Sequence, residues 1–208
     1  MNYELIIKEQ EEITPDLTLL DDSELDRYQR LISPQKKLSF LTGQTVLKQV
    51  LANCLGISPA SISFALTPMG KPYLPALAET TMPFFNLSHS EGHYLIGLSS
   101  CPIGVDIELP KAIDLTNVRH FLTPHEYEQI KVFPKSLHSS IFYRLFTTKE
   151  AFLKATDKWW ALDTVRFQLE NHHWALTSPG ESFQFYQRDY KGHYIAVCLD
   201  MTVITTQR

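Results

Sequence analysis

Four short stretches of this chain carry residues whose types and spacing suit chemistry. In Gly104-Val105-Asp106-Ile107-Glu108 two carboxylates stand two positions apart. On a strand, positions i and i+2 share a face about 6–7 Å apart, so Asp106 and Glu108 would point together while Val105 and Ile107 enter a core. Two like charges on one face repel unless water or a cation lies between them, and a set of oxygen ligands suits Mg2+ or Mn2+ rather than Zn2+. Taken alone, D-x-E is more often the solvated end of a strand. In Lys149-Glu150-Ala151-Phe152-Leu153-Lys154, Glu150 and Lys154 sit at i and i+4 on one helix face. An exposed pair of that kind contributes only a few tenths of a kcal/mol, about 0.3–0.5, but this helix is otherwise apolar. Phe85-Asn86-Leu87-Ser88-His89-Ser90 brings hydroxyls and an imidazole to a strand end, groups that can hold phosphate. Adjacent on a strand, Ser88 and His89 face opposite ways, which excludes a nucleophile–base pair, and there is no G-x-S-x-G elbow. Gly70-Lys71-Pro72 is a short turn, with neither a Walker A loop nor G-x-G-x-x-G around it.

The elements that must position these residues follow from periodicity and caps. Residues 3–7 read as a strand. Asp21, Asp22 and Ser23 offer caps for a short helix through Leu31. Ser33-Pro34 opens a long helix with apolar residues at three- and four-residue steps, and Gly56 stops it. Gly43, in the middle of that helix, marks close approach of a neighbour. Strands are predicted at 62–66, 84–88, 93–99 and 103–108, the last with the acidic end. Thr123 and Glu126 form a capping box. A second long helix is predicted from about Leu137 to Ala155, followed by strands near 165–169, 173–177, 183–187, 193–199 and 201–205. Alternating blocks of helices and meandering strands indicate an α+β fold with largely antiparallel sheets.

The chain has 208 residues, 44% of them hydrophobic and 20% charged, which is ordinary for a soluble globular protein. Nineteen Lys and Arg against 23 Asp and Glu give a net charge of −4, so no bulk basic field for nucleic acid or an anionic membrane is present. No apolar run approaches the roughly 18 residues of a membrane helix, and the charges near the N-terminus do not suit a signal peptide. Three scattered cysteines (Cys54, Cys101, Cys198) exclude a disulfide framework and fit a reducing cytoplasm. Gly92-His93-Tyr94 recurs one hundred positions on as Gly192-His193-Tyr194, and the long helices begin near 34 and 137. This register predicts two similar α+β halves, 1–101 and 102–208, with a ligand in the crevice between them.

In their order and spacing, Gly70-Lys71-Pro72, Phe85-Asn86-Leu87-Ser88-His89-Ser90, Ile103-Gly104-Val105-Asp106-Ile107-Glu108 and Lys149-Glu150-Ala151-Phe152-Leu153-Lys154 together resemble the surfactin-synthetase-activating type of 4′-phosphopantetheinyl transferase. Residues 119–126 are similar to the segment that such enzymes carry between their acidic strand and catalytic helix. Ser33 to Gly56 resembles their first long helix. The resemblance covers roughly residues 28–170 and implies the pseudodimer fold that the internal repeat also suggests. It implies Mg2+-dependent transfer of the phosphopantetheine arm from coenzyme A to a serine of an apo acyl or peptidyl carrier protein, with release of 3′,5′-ADP.

Under that resemblance Asp106, Glu108 and Glu150 hold Mg2+, or Mn2+ in its place. Glu150 is the candidate general base, directly or through a metal-bound water, and Lys154 neutralises the pyrophosphate or the leaving phosphate. Ser88 and His89 hold nucleotide phosphates, and Lys71 borders the adenine pocket. The carrier docks near 111–122, with Ile113, Leu115 and Val118 partly exposed, Phe121 and Leu122 packed inward, and Lys111 and Arg119 steering the acidic partner. A cytoplasmic monomer is expected, with no nucleic-acid or membrane partner. Three positions depart from the family pattern. Gln44 follows Gly43 where an arginine is usual, which turns attention to Lys48, Arg30, Lys36 and His89 for the nucleotide 3′-phosphate. Phe146 replaces a tryptophan, and Asp157-Lys158-Trp159-Trp160 replaces a glycine-containing turn. The competing readings are a metal-dependent phosphoesterase acting on a coenzyme A-like substrate and a non-catalytic carrier-binding homologue.

Overall fold

The element order runs twice through one pattern. The computed structural model describes residues 3–75, 83–158, 166–170, 173–177 and 183–202. Its first run is β1 (Tyr3–Glu9), α1 (Asp22–Arg30), α2 (Pro34–Leu55), β2 (Ala65–Leu66), β3 (Pro72–Tyr73), β4 (Phe84–Ser90) and β5 (His93–Ser99). The second is β6 (Ile103–Glu108), α3 (Pro124–Lys131), α4 (Lys135–Thr156), β7 (Phe167–Glu170), β8 (His173–Leu176), β9 (Phe183–Tyr190) and β10 (His193–Asp200). A 3-10 turn precedes the short helix in each run, Leu17–Leu19 before α1 and Arg119–Phe121 before α3. The main sheets are equivalent as well, ordered β1-β5-β4 and β6-β10-β9 and antiparallel throughout.

Local sequence explains most boundaries. Ser33 caps α2 by accepting from the Lys36 N–H, Pro34 takes a first-turn position, and Gly56 ends the helix at φ 67°. Asp21 and Thr123 cap α1 and α3 through capping boxes with Glu24 and Glu126. The hairpins β4–β5 and β9–β10 close on Glu91-Gly92 and Lys191-Gly192, with φ positive at all four residues, as a two-residue type I′ connection requires. The strand expected at 84–88 therefore runs on to Ser90, and only Glu91 and Gly92 separate it from β5. The strand expected at 62–66 is reduced to β2, because Pro59–Ser61 forms a 3-10 turn just before it. No strand follows β10 at Met201 and Thr202, and the rest of the stretch expected at 201–205 lies outside the described residues. The strand expected at 165–169 is observed as β7.

Buried side chains fall into three layers. Val46, Leu47 and Leu51 of α2 pack on Phe85, Tyr94 and Ile96 of the first sheet. Leu145 and Phe152 of α4 pack with Phe167, Trp174 and Ala196 on the second. Between the sheets lie Leu95, Ile103, Val105, Ile107, Ile195 and Val197. At the centre the two repeated strands meet, with the His93 and His193 rings 4.3 Å apart. Among the described residues no helix is long and apolar enough to cross a membrane.

Two glycines set the approach of the long helices. A Cβ on Gly43 would stand 3.3 Å from Leu87 Cδ2 and 3.6 Å from Tyr94 Cε1, which is the close approach that its position predicts. Gly104 is tighter: a Cβ there would lie 1.9 Å from the Ala151 carbonyl oxygen and 2.4 Å from the Ala155 nitrogen. The backbone of α4 thus rests directly on β6. Gly104→Ala is expected to destabilise the protein by about 3 kcal/mol, since helix backbone must move to admit the methyl. Gly56→Ala, with open space around its Cβ, is expected to cost about 1 kcal/mol from its left-handed backbone alone. Urea denaturation of the two variants measures the difference.

Candidate active site

β4 and β6 lie side by side without a backbone ladder between them. Side chains of β4 accept from the N–H groups of β6 instead. Asn86 Oδ1 takes the Val105 N–H at 2.9 Å, Ser88 Oγ the Ile107 N–H at 3.4 Å, and Ser90 Oγ the Leu109 N–H at 3.2 Å. The polar alternation Asn86-x-Ser88-x-Ser90 is therefore a seam between the two halves. The same hydroxyls turn toward the acidic strand. Ser88 donates to Asp106 Oδ1 at 2.7 Å and Ser90 donates to Glu108 Oε2 at 3.3 Å. Across from them α4, seated on Gly104, brings Lys154 Nζ to 2.6 Å from Asp106 Oδ1 and 3.1 Å from Ser88 Oγ.

The result is a concentrated negative centre. Asp106 is 2% exposed, and its Oδ2 is buried with no hydrogen-bond partner. Burial raises its pKa, opposed by Lys154 and Ser88. Glu108 is pushed up to about 7, first by burial and then by the charge of Asp106. Burial also raises Glu150, with Lys154 opposing and Asp106 adding to the rise. Three carboxylates thus share one ammonium. A bare inward-facing carboxylate oxygen and a surplus of negative charge suit a hard cation with oxygen ligands. The sequence names Asp106, Glu108 and Glu150 as metal ligands. Among the described residues no three acidic, histidine or cysteine side chains form a metal-holding group, and Lys154 takes the Oδ1 of Asp106 instead.

The other expected site residues divide. Lys71 lines a cavity of about 230 Å³ together with Gly70, Asn86, Leu153, Lys154 and Asp157. Its ammonium donates to the carbonyls of Lys154 and Ile103, and burial lowers its pKa. His89 lies on the exposed face of β4, its ring 5.4 Å from that of Tyr94 and its Nδ1 3.4 Å from Ser39 Oγ. Burial of its surroundings, and then the charge of Lys154, lower its pKa. Ser88 is 7% exposed and already uses one donor and two acceptor positions, which is all that a hydroxyl offers. It therefore orients Asp106 and Lys154 and is not free to hold a phosphate. Lys48 is also corrected. It is 1% exposed, and its Nζ is 2.6 Å from both Glu24 Oε2 and the Leu19 carbonyl, so no nucleotide reaches it. Gln44 instead shares a cavity of about 400 Å³ with Arg27, Arg30, Phe40 and Phe64.

In the 111–122 segment the expected exposures of Leu115 and Phe121 are exchanged, while Ile113 and Val118 are partly exposed and Leu122 packs on the core as expected. Leu115 is only 5% exposed and belongs to the α4 core, with Ile113 and Val118 packed against it. Phe121 is 47% exposed, with its ring 4.0 Å from His120 and 5.5 Å from Phe146. Lys111 pairs with Glu91 at 2.6 Å, while Arg119 lies 4.9 Å from the Tyr127 ring. Asp157 occupies the left-handed position after α4 at φ 54°, the place of the family's glycine. Trp159 and Trp160 lie outside the described residues. Ser90 and Lys149 belong to the predicted motifs but, like Glu24 and Glu126, had no role in the site assigned from sequence. Their signal was present in the second alternate hydroxyl of β4 and in two capping boxes, each followed 23 or 24 residues later by a lysine.

Residues 102–200 match the family described as the 4′-phosphopantetheinyl transferase superfamily, and residues 8–102 match the family described as 4′-phosphopantetheinyl transferase, N-terminal. A putative 4′-phosphopantetheinyl transferase of Synechocystis sp. is 41% identical over 67% of this chain and 58% of its own length. The 4′-phosphopantetheinyl transferase HetI of Nostoc sp. is 35% identical over 66% of this chain and 59% of its own. The 4′-phosphopantetheinyl transferase ffp of Bacillus subtilis is 30% identical over 86% of this chain and 87% of its own. The chain thus spans less than two thirds of the Synechocystis and Nostoc proteins, and most of the Bacillus one. This chain belongs to the 4′-phosphopantetheinyl transferase superfamily.

The acidic centre has a pH signature. The pKa of Glu108 is higher in the folded protein than in the unfolded chain, so the folded state binds more protons between about 4.5 and 7. Its contribution to stability is full below the unfolded value and is lost as pH rises through about 7. Asp106 and Glu150 shift in the same direction. In EDTA the melting temperature is expected to fall from pH 5 to pH 8, and Glu108→Gln to flatten that fall. Added Mg2+ should raise the melting temperature at pH 8 more than at pH 5. Thermal unfolding at the two pH values, with and without the ion, tests both effects.

Proposed function

We propose that this protein transfers the 4′-phosphopantetheine arm of coenzyme A to a serine of an apo carrier protein in the cytoplasm, releasing 3′,5′-ADP. The observation that carries the reading is the convergence of Asp106, Glu108, Glu150 and Lys154 at a seam between two halves, beside a cavity bordered by Lys71. Phosphoryl transfer rests on positioning and charge neutralisation more than on covalent help from protein. Asp106, Glu108 and Glu150 are the residues that would hold Mg2+, or Mn2+ in its place, and the ion would neutralise pyrophosphate oxygens when bound.

The protein's own groups account for the rest. Lys154, held by Asp106 and Ser88, presents its ammonium toward the bridging phosphate and follows the charge that develops on the leaving 3′,5′-ADP. Glu150 is raised by burial toward the range of a general base and accepts the proton of the incoming serine hydroxyl. Its neighbour Lys149 ties α4 to the Phe121 rim, the side from which a large acceptor enters. Arg27 and Arg30 beside Gln44 supply cations for the nucleotide 3′-phosphate in place of an arginine at position 44. That supply argues against a homologue that has lost coenzyme A. The exposed Phe121 rim favours a two-substrate enzyme over a phosphoesterase that admits only water.

The decisive experiment is mass spectrometry of an apo carrier protein after incubation with this protein, coenzyme A and Mg2+. The carrier is expected to gain the phosphopantetheine mass. Release of free phosphopantetheine without a carrier adduct would favour the phosphoesterase, and no reaction with intact carrier binding the non-catalytic homologue. Glu150→Gln is expected to slow transfer by about a hundredfold or more, in the range of a lost general base.

A further inference from the structure

The corrected Lys48 has a counterpart that the internal repeat places in the second half. Lys48 of α2 is 2.6 Å from Glu24 Oε2 and 2.6 Å from the Leu19 carbonyl. Lys149 of α4 is 2.5 Å from Glu126 Oε2 and 3.0 Å from the Phe121 carbonyl. Glu24 and Glu126 are the capping-box residues of α1 and α3, and the same oxygen accepts the N–H of the cap, Asp21 at 2.9 Å and Thr123 at 2.8 Å. Leu19 and Phe121 end the 3-10 turns that precede those caps. In both halves all four charged side chains are buried, and the second oxygen of each glutamate has no partner. One node therefore ties three elements together twice: the long helix, the cap of the short helix and the turn before it.

The two nodes hold different surfaces. The first fixes α1, which carries Arg27 and Arg30 one and two turns beyond Glu24 and lines the Gln44 cavity. The second fixes the rim that bears Arg119, His120 and the exposed Phe121, and its lysine precedes Glu150 directly in the chain. Burying an ion pair is costly, and well-packed apolar residues are often as stable in its place. Stability is thus a weak reason for two such pairs, while orientation of a charged or apolar rim against a long helix is a direct consequence of both.

We propose that these are paired positioning clamps with divided duties. Lys48–Glu24 sets the nucleotide-binding face, and Lys149–Glu126 sets the carrier-facing rim relative to Glu150. This rests on the transferase reading for the identity of the two substrates, but the clamp itself is tested without turnover. The variants are Lys48→Met with Glu24→Gln, and Lys149→Met with Glu126→Gln. Each removes both charges, so no lone buried ion remains, and glutamine still serves the capping box.

Amide hydrogen exchange is expected to speed up at residues 16–21 in the first variant only and at residues 116–123 in the second only. In steady-state kinetics the second variant is expected to raise the KM for an apo acyl carrier protein about tenfold or more, as a displaced positioning element does. Its coenzyme A affinity by calorimetry should stay within about twofold, as for a distant independent site. The first variant should show the reverse pattern. If the double variants do not fold, Lys48→Met and Lys149→Met alone give the comparison, since each glutamate can take up a proton and keep its capping-box bond. Equal changes in both substrates that track lost thermal stability, or unchanged exchange at both segments, would overturn the proposal. Absence of transfer by the unaltered protein would sink the transferase reading, while exchange and coenzyme A calorimetry would still decide the clamps.

Discussion

Between β4 and β6 the backbone leaves a row of N–H groups that must be satisfied, because an unpaired buried donor costs a substantial fraction of a domain's stability. Asn86, Ser88 and Ser90 meet that demand across the seam. A hydroxyl that accepts from an N–H still has its own proton to give, and Ser88 and Ser90 give theirs to Asp106 and Glu108. One interaction thus joins the halves and aims the acids. The close seating of α4 on Gly104 then brings Lys154 onto the same oxygen. Without the seam the two halves lose their polar junction, and Asp106 and Glu108 lose the hydroxyls that aim them.

Duplication makes two equivalent places, and the acidic residues occupy one. Through the pairing of β1 with β5 and of β6 with β10, Ile6 and Lys8 stand where Asp106 and Glu108 stand in the second half. By the positions of the two clamp lysines, Gln49 and Asn53 correspond to Glu150 and Lys154. The first half therefore lacks the acidic set and keeps the scaffold. At the opposite sheet edge Tyr3 and Tyr186 meet with ring centroids 5.0 Å apart, an aromatic contact in place of the polar seam. The acidic cluster is a property of one seam in a nearly symmetric frame.

Burial gives that centre its electrostatic character. Asp106, Glu108 and Glu150 are each pushed toward the neutral form by lost solvation, opposed by the charge of Lys154 and, for Asp106 and Glu108, by the hydroxyls of Ser88 and Ser90. The stress is relieved by whatever positive charge arrives. Three acids thus lie around one ammonium, a surplus of negative charge in a partly buried setting.

The sequence by itself determined what depends on nearest neighbours along the chain. Ser33-Pro34 and Gly56 bound α2, Thr123 and Glu126 cap α3, and the alternation from Ile103 to Glu108 places two acids on one strand face. The hundred-residue recurrence of Gly-His-Tyr marked two halves, because the type I′ turn needs its glycine in each. The family motifs named Asp106, Glu108, Glu150 and Lys154 for the same local reason. Partnership across the fold was not legible. Whether Lys48 faces a ligand or Glu24, whether the Ser88 hydroxyl is free or fully engaged, and whether Leu115 or Phe121 faces solvent depend on residues tens of positions away. Periodicity gives a side chain its face, and only packing decides what lies opposite that face.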